Sequence, residues 1–398
     1  MVRFHSPDSI VIHRPSSTSS TSRPAASRPS VTTCAAAASI SPSSRRCGTP
    51  TVGPRRRPSC VDGTAAGRGA APRGTVPAAG RGPLPQDAEV ADVWRWVWSQ
   101  AASSTRLEAA VRATPAALAV VHRFVAGDHL DDGLRAARDH LAAGAAVTID
   151  HVGEHVVDDA AADRAAEAYA QVLDALGPGE DVGISVKPTQ LGLHLDADRC
   201  RGRLAELAAA AGDRGVALTL DMEDHRVTEA TVQLAETLGA ATDARIVVAL
   251  QAALHRTPRD VRRVTDAGVA VRLCKGAYAE PSHLAHARPV AVLRAYLDAA
   301  RYLVRHGHDP RFATHDHRLL AAVRRDAALV GRAPDTYEFQ MLHGVRSDAQ
   351  RALVRDGERL RVYVPFGTAW FPYFTRRLAE RPANLALLLR ALTDQETS

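Results

Sequence analysis

The chain has 398 residues, a formal net charge of +6 and an aromatic content of only 5%. It has no run of 18 apolar residues and no signal-peptide core, which excludes a membrane-spanning helix and predicts a soluble, cytosolic protein. Three of its five cysteines (Cys34, Cys47, Cys60) lie near the N-terminus, far from Cys200 and Cys274, so neither a disulfide framework nor a zinc spacing is present.

Residues 1–86 are rich in Ser, Pro, Ala, Thr, Gly and Arg. Up to Leu84, twelve arginines stand against two acids (Asp8, Asp62), a balance of +10, so the overall +6 leaves −4 for everything after. The basic excess belongs to this tail and the body is mildly acidic. With almost no aromatic residues and no helical or strand period, the tail cannot bury enough surface to offset chain entropy and is predicted to be disordered. Its clusters Arg45-Arg46 and Arg55-Arg56-Arg57 have no interleaved aromatics and no surrounding binding fold, so no nucleic-acid partner is expected. An Arg- and Ser-rich leader also matches an organellar transit composition, whereas the Arg-for-Lys and Ala bias points to a GC-rich bacterial genome. No second Met precedes Met222, and a non-Met start codon is a third reading of this region.

From residue 87 the pattern changes. DVWRWVWSQAASSTRLEAAV and VVHRFVAGDHLDDGLRAARDHLAAG repeat apolar positions every three or four residues, which predicts amphipathic N-terminal helices. Short β-branched runs then follow at 145–150, 182–187, 216–222, 245–250, 269–275, 311–315, 337–342 and 360–365. They alternate with segments of helical period such as AADRAAEAYAQVLDALG and RPVAVLRAYLDAARYLVRHG. Eight strands alternating with helices predict an α/β fold, a (β/α)8 barrel of the TIM type spanning 87–398 with helices before it. No GxGxxG follows an early strand, which argues against a doubly wound dinucleotide fold.

In such a barrel the C-terminal strand ends converge on one mouth, here Asp150, His151, Lys187, Asp221, Gln251, Arg272, Lys275, Thr314, His315, Gln340 and Tyr363. Any one of these is most simply a polar residue marking a strand end. Taken together, ionisable groups around one cavity cost desolvation unless paired or used. The two lysines are informative because, of fifty cationic side chains, they alone are not arginine. A position that keeps lysine in such a chain requires a compact ammonium on a flexible stem. After the eighth strand, WFPYFTRRLAERPANL reads as a helix opened near Pro372 and interrupted at Pro382. Tyr373, Arg377 and Glu380 share a face, and Arg376 stands four residues before Glu380. A carboxylate tying down one of two adjacent guanidiniums leaves a rigid fork for a substrate anion.

Two other chemistries use these residue types. A strand-end lysine can form a Schiff base, as in a class I aldolase. His315-Asp316-His317, with His151 and Asp221, resembles the HxH of a metal-dependent barrel hydrolase, although that pair usually sits on an early strand. No metal site is favoured.

The ordered set ISVKPTQLGL, LTLDMED, VALQA, VRLCKGAYAEP, FATHD, YEFQMLHGVR and RVYVPFGTAWFPYFTRRLAERPANL resembles the proline dehydrogenase family, over roughly residues 100–390. The resemblance implies a monofunctional, bacterial-type, FAD-dependent barrel that oxidises L-proline to 1-pyrroline-5-carboxylate and passes electrons to a quinone. Peripheral contact with the inner membrane and a separate pyrroline-5-carboxylate dehydrogenase downstream are implied with it. By position, Lys187, Arg376 and Arg377 would hold the substrate carboxylate, Glu380 would orient the arginines, and Asp221 would share the pocket. Leu273, Tyr278, Tyr363 and Tyr373 would wall the ring. Asp221, Met222, Gln251, Arg272, Lys275, Gly276, Ala277, Thr314, His315, Asp316 and Gln340 would hold the flavin. Two departures stand out: Ala253 follows Gln251-Ala252 where the family usually has an aromatic residue, and Pro188 follows the lysine where an aliphatic residue is expected.

Overall fold

A computed structural model describes residues 104–177 and 179–380, together with Leu388. The predicted tail and the DVWRWVWSQAA stretch lie outside the described residues. Three helices come first: α1 (Thr105–Ala113), α2 (Pro115–Val121) and α3 (Leu130–Ala142). The periodic segment VVHRFVAGDHLDDGLRAARDHLAAG is therefore not one helix. It breaks at 122–129, where Gly127 takes φ +154 and its missing Cβ leaves room for the Asp132 carboxylate that caps α3.

Eight strands follow: β1 (Ala146–His151), β2 (Val182–Val186), β3 (Ala217–Leu220), β4 (Arg245–Gln251), β5 (Ala270–Cys274), β6 (Arg311–Ala313), β7 (Glu338–Leu342) and β8 (Leu360–Phe366). All pair in parallel in sequence order and β8 closes on β1, with Val147 opposite Val362 and Asp150 opposite Pro365. The connecting helices are α4 (Asp159–Ala175), α5 (Ala197–Asp213), α6 (His225–Ala241), α7 (Thr257–Asp266), α8 (Pro289–His306), α9 (His317–Leu329) and α10 (Ser347–Arg355). Asp158, Asp196, Asp224 and Asp316 cap α4, α5, α6 and α9 by accepting from first-turn amides. Proline opens α2, α7 and α8, where its missing N–H costs nothing.

Strand residues alternate between two environments. Val147, Ile149, Ile184, Val186, Leu218 and Val248 join Tyr169, Leu173, Leu204 and Tyr296 of the helices in the main apolar cluster. The intervening residues Thr148, Asp150, Ser185, Thr219, Arg272, Glu338, Arg361 and Tyr363 are polar, and most of these are buried. The lower barrel holds a charge cluster that sequence patterning did not suggest. Arg361 meets both oxygens of Glu338 at 3.0 Å and reaches Asp181 at 2.7 Å, while Arg311 pairs with Asp309 at 3.0 Å. Each buried charge there has a counter-charge, which is the condition for keeping it out of water.

The last described helix, α11 (Phe371–Glu380), is held by the first two. Trp370, Phe371, Phe374 and Leu378 pack with Val111, Ala117, Val121 and Phe124 in a second apolar cluster. Arg112 stacks 4.5 Å over the Trp370 ring and donates to the Thr368 carbonyl at 2.6 Å. The N-terminal helices thus fix the element that carries the paired arginines.

Candidate active site

The upper barrel brings together five of the predicted strand-end residues, Asp150, Lys187, Asp221, Arg272 and Tyr363. Lys187, one residue beyond β2 and 6% exposed, donates to the Asp150 carboxylate at 2.7 Å and stands 3.7 Å from Asp221. The Lys187 carbonyl accepts from the amides of Gln190 and Leu191, and Pro188 stands in the turn beyond β2. Asp221, just past β3, is the hub. Its Oδ1 accepts from Arg272 at 2.5 Å and Ser185 at 2.8 Å, and its Oδ2 accepts from the Tyr363 hydroxyl at 2.7 Å.

The electrostatics follow from this packing. Burial pulls the Lys187 ammonium towards neutrality, but the carboxylates of Asp150 and Asp221 outweigh it and its pKa is raised. Burial likewise opposes ionisation of Asp221, yet Arg272 and Lys187 hold its pKa below the usual carboxylate range. The packing therefore favours the charged forms of both, an ammonium on Lys187 and a carboxylate on Asp221. A Schiff base needs the opposite, a lysine whose pKa is depressed.

Above this layer lies an open cavity of about 110 Å³ lined by Val152, Gly153, Glu154, Lys187, Ala369, Pro372, Tyr373 and Arg376. Arg376 pairs across it with Glu154 at 2.5 Å and lies 5.9 Å from the Tyr278 ring. Burial works against the Arg376 charge, but Glu154 more than compensates and raises its pKa. Arg377 is buried and stacks 5.3 Å from the Tyr373 ring. Glu154, four residues beyond Asp150 in the β1 loop, was not anticipated: the local RRxxE spacing directs attention to Glu380, whose side chain lies outside the described residues. Two further residues went unread, Ser185 on β2 and Tyr169 on α4.

The residues expected on the flavin side are placed around the neighbouring strand ends. Gln251 donates to the Glu223 carbonyl at 2.7 Å, and burial pushes the Glu223 carboxyl up. Lys275 pairs with Asp316 at 3.0 Å, and the Asp316 amide donates to Thr314 Oγ1 at 3.1 Å. His315 Nε2 accepts from the Leu342 amide at 3.0 Å. Gly276 takes φ +109, and a Cβ there would lie 3.0 Å from both Gln251 Oε1 and Ala253 Cβ, so the small Ala253 and the glycine are packed against each other. Gly276 and Ala277 are exposed, whereas Met222 and Leu273 are buried in the main apolar cluster and do not line the cavity. Gln340 is buried and donates to Glu338 at 2.7 Å, which ties it to the lower charge cluster. Arg272 keeps two buried nitrogens, Nε and Nη2, without a hydrogen-bond partner among the described residues. An orphaned guanidinium edge beside an ionised aspartate suits an electron-rich, acceptor-bearing ring.

Comparison with known proteins points in one direction. The family model for proline dehydrogenase matches residues 134–388. Proline dehydrogenase 1 of Bacillus subtilis (strain 168) is 32% identical over 271 residues, covering 68% of this chain and 89% of the relative. Proline dehydrogenase of Deinococcus radiodurans is 31% identical over 278 residues, covering 69% of this chain and 90% of the relative. Among solved structures, proline utilization A from Bdellovibrio bacteriovorus inactivated by N-propargylglycine superposes with a TM-score of 0.62 at 23% identity. It covers 70% of this chain and 34% of that one, a likeness of fold.

Proposed function

The chain belongs to the proline dehydrogenase family, whose members oxidise L-proline in proline catabolism, and we propose that it does so with a bound FAD and a quinone as electron acceptor. The observation that carries this reading is the cavity in which the protonated Lys187 and the Arg376 guanidinium stand together. Two cations in one small, partly apolar chamber suit an amino-acid carboxylate. Arg377, adjacent on α11, is the third. Glu154 and Glu380 are orienting groups for the pair, Glu154 through its 2.5 Å contact with Arg376.

Tyr278, Tyr363 and Tyr373 provide the walls for a five-membered ring, with Leu273 behind them. Oxidising a secondary amine to an imine removes a hydride that no side chain can accept, and the flavin supplies that acceptor. The protein's part is to hold carboxylate and ring so that the carbon beside nitrogen faces one direction. Asp221, Met222, Gln251, Arg272, Lys275, Gly276, Ala277, Thr314, His315, Asp316 and Gln340 are the residues assigned to the flavin. The unpartnered edge of Arg272 and the close Gly276–Gln251 approach support a planar group there. Among the described residues no helix is long and apolar enough to cross a membrane, and peripheral contact suits delivery of electrons to a quinone. The product, pyrroline-5-carboxylate, then passes to a separate dehydrogenase.

The test is turnover of L-proline by the purified protein with a soluble quinone analogue, the cyclic imine being trapped and identified. Imine formation dependent on added quinone supports the reading. No product with L-proline, or inactivation by borohydride only in the presence of a carbonyl substrate, would overturn it.

A further inference from the structure

Asp150 is fully buried at the end of β1, and its carboxylate is held in an uneven way. Oδ1 accepts from Lys187 at 2.7 Å and from the Tyr169 hydroxyl at 3.2 Å, while Oδ2 has no partner among the described residues. Among the described residues the only donor to Asp150, apart from the ammonium it serves, is a phenol from α4, a helix that does not line the cavity. Tyr169 is itself fully buried, and two neutral acceptors compete for its single proton, the His151 carbonyl at 3.1 Å and Gln190 Oε1 at 3.2 Å. The His151 carbonyl also accepts from Gln190 Nε2 at 2.9 Å. A hydrogen bond to an ionised acceptor is shorter and roughly twice as strong as one to a neutral acceptor, so the phenolic proton belongs on Asp150.

We propose that Tyr169 is a positioning residue for the substrate cation: its hydroxyl, framed by Gln190 and the His151 carbonyl, fixes Asp150, and Asp150 fixes Lys187. This inference rests on the reading of Lys187 as a ligand of the substrate carboxylate. Without the phenol, Asp150 is free to turn about its side-chain torsions and follow the ammonium. Lys187 then meets a more mobile, more strongly competing counter-ion, and the substrate carboxylate binds less well. A merely structural role predicts otherwise, because Tyr169→Phe keeps the ring that packs between α4 and the barrel.

The experiment is a double-mutant cycle on the holoenzyme, comparing Tyr169→Phe, Lys187→Met and the double variant in kcat/KM for L-proline, KM, kcat and thermal stability. Tyr169→Phe is expected to raise KM by about fivefold with kcat within about twofold, the size of one ordinary net hydrogen bond, since the phenol acts on the substrate only through Asp150 and Lys187. In the Lys187→Met background it is expected to add nothing. A KM unchanged by Tyr169→Phe, or a KM rise that persists in full without Lys187, overturns the proposal while leaving the carboxylate reading intact. If Lys187→Met alone leaves KM unchanged, the carboxylate reading itself fails and this inference falls with it. Should Tyr169→Phe not fold, Asp150→Asn breaks the same chain at its middle, and an unchanged KM there overturns the proposal equally.

Discussion

Replacing Lys187 by Met keeps the stem and deletes the ammonium that meets Asp150 at 2.7 Å and Asp221 at 3.7 Å. Two consequences separate cleanly. Asp221 retains Arg272, Ser185 and Tyr363, but among the described residues Asp150 is left with Tyr169 as its one donor. Breaking a buried pair costs about 3–5 kcal/mol, and the intact shell of Asp221 places this variant at the lower end. The substrate carboxylate loses a hydrogen bond to a charged group, worth about 1.5–3 kcal/mol, or roughly 10- to 150-fold in affinity. Substrate and transition state both carry that carboxylate, so the loss belongs in KM with kcat largely kept. Steady-state kinetics over a wide proline range, with flavin content measured on the same sample, reads both. A KM within twofold of the parent, or a loss confined to kcat with KM held, refutes the assignment.

Gly276→Ala places a methyl group 3.0 Å from Gln251 Oε1 at a backbone φ of +109, and flavin content after purification should fall well below that of the parent; full retention would remove Gly276 from the cofactor site. The Tyr363 hydroxyl proton is committed to Asp221 at 2.7 Å, so a substrate hydroxyl near it must be desolvated without that donor. Hydroxyproline should then show kcat/KM about tenfold below proline, and equal turnover would contradict this. Burial lowers His343 to about 4 from its ordinary 6.5, with His140 bound to it at 2.9 Å. Between those values the unfolded chain binds a proton that the folded one does not, so stability is fully present above 6.5 and is lost as pH falls towards 4. From pH 7 to 5 the loss should approach about 2 kcal/mol, and a His343→Gln variant should show a flatter stability profile. Parallel profiles for parent and variant would sink it.

The barrel was legible because each strand is a short β-branched run and each helix a long segment of 3.6 period. Predicted strand limits such as 182–187 and 360–365 lie within two residues of the observed β2 and β8. The break at 122–129 was not, since it depends on one glycine conformation and an Asp132 cap rather than on apolar spacing. Of the site, Asp150, Lys187, Asp221, Arg272 and Tyr363 were visible as polar residues in or closing strand runs, and the structure brings them into one cluster: Arg272 and Tyr363 hydrogen-bond Asp221, while Lys187 hydrogen-bonds Asp150 and stands 3.7 Å from Asp221. Glu154 was invisible because its partner Arg376 is 222 positions away, whereas sequence spacing reveals only local pairs such as i,i+4. Tyr169 hides for a related reason: at helical period it reads as a core aromatic, and only its hydroxyl distinguishes it. Gln340 lies mid-strand in β7, where its side chain donates to Glu338 and its carbonyl accepts from the Thr314 amide, ties that strand-end logic does not reveal.

Hydride transfer from L-proline onto a flavin held in the barrel, as proposed, is read by anaerobic titration of the purified protein with L-proline, followed in the visible spectrum. The expected result is a flavin band that bleaches on addition of proline and returns with a quinone analogue. A colourless protein, or a flavin band that proline leaves unchanged, would contradict it.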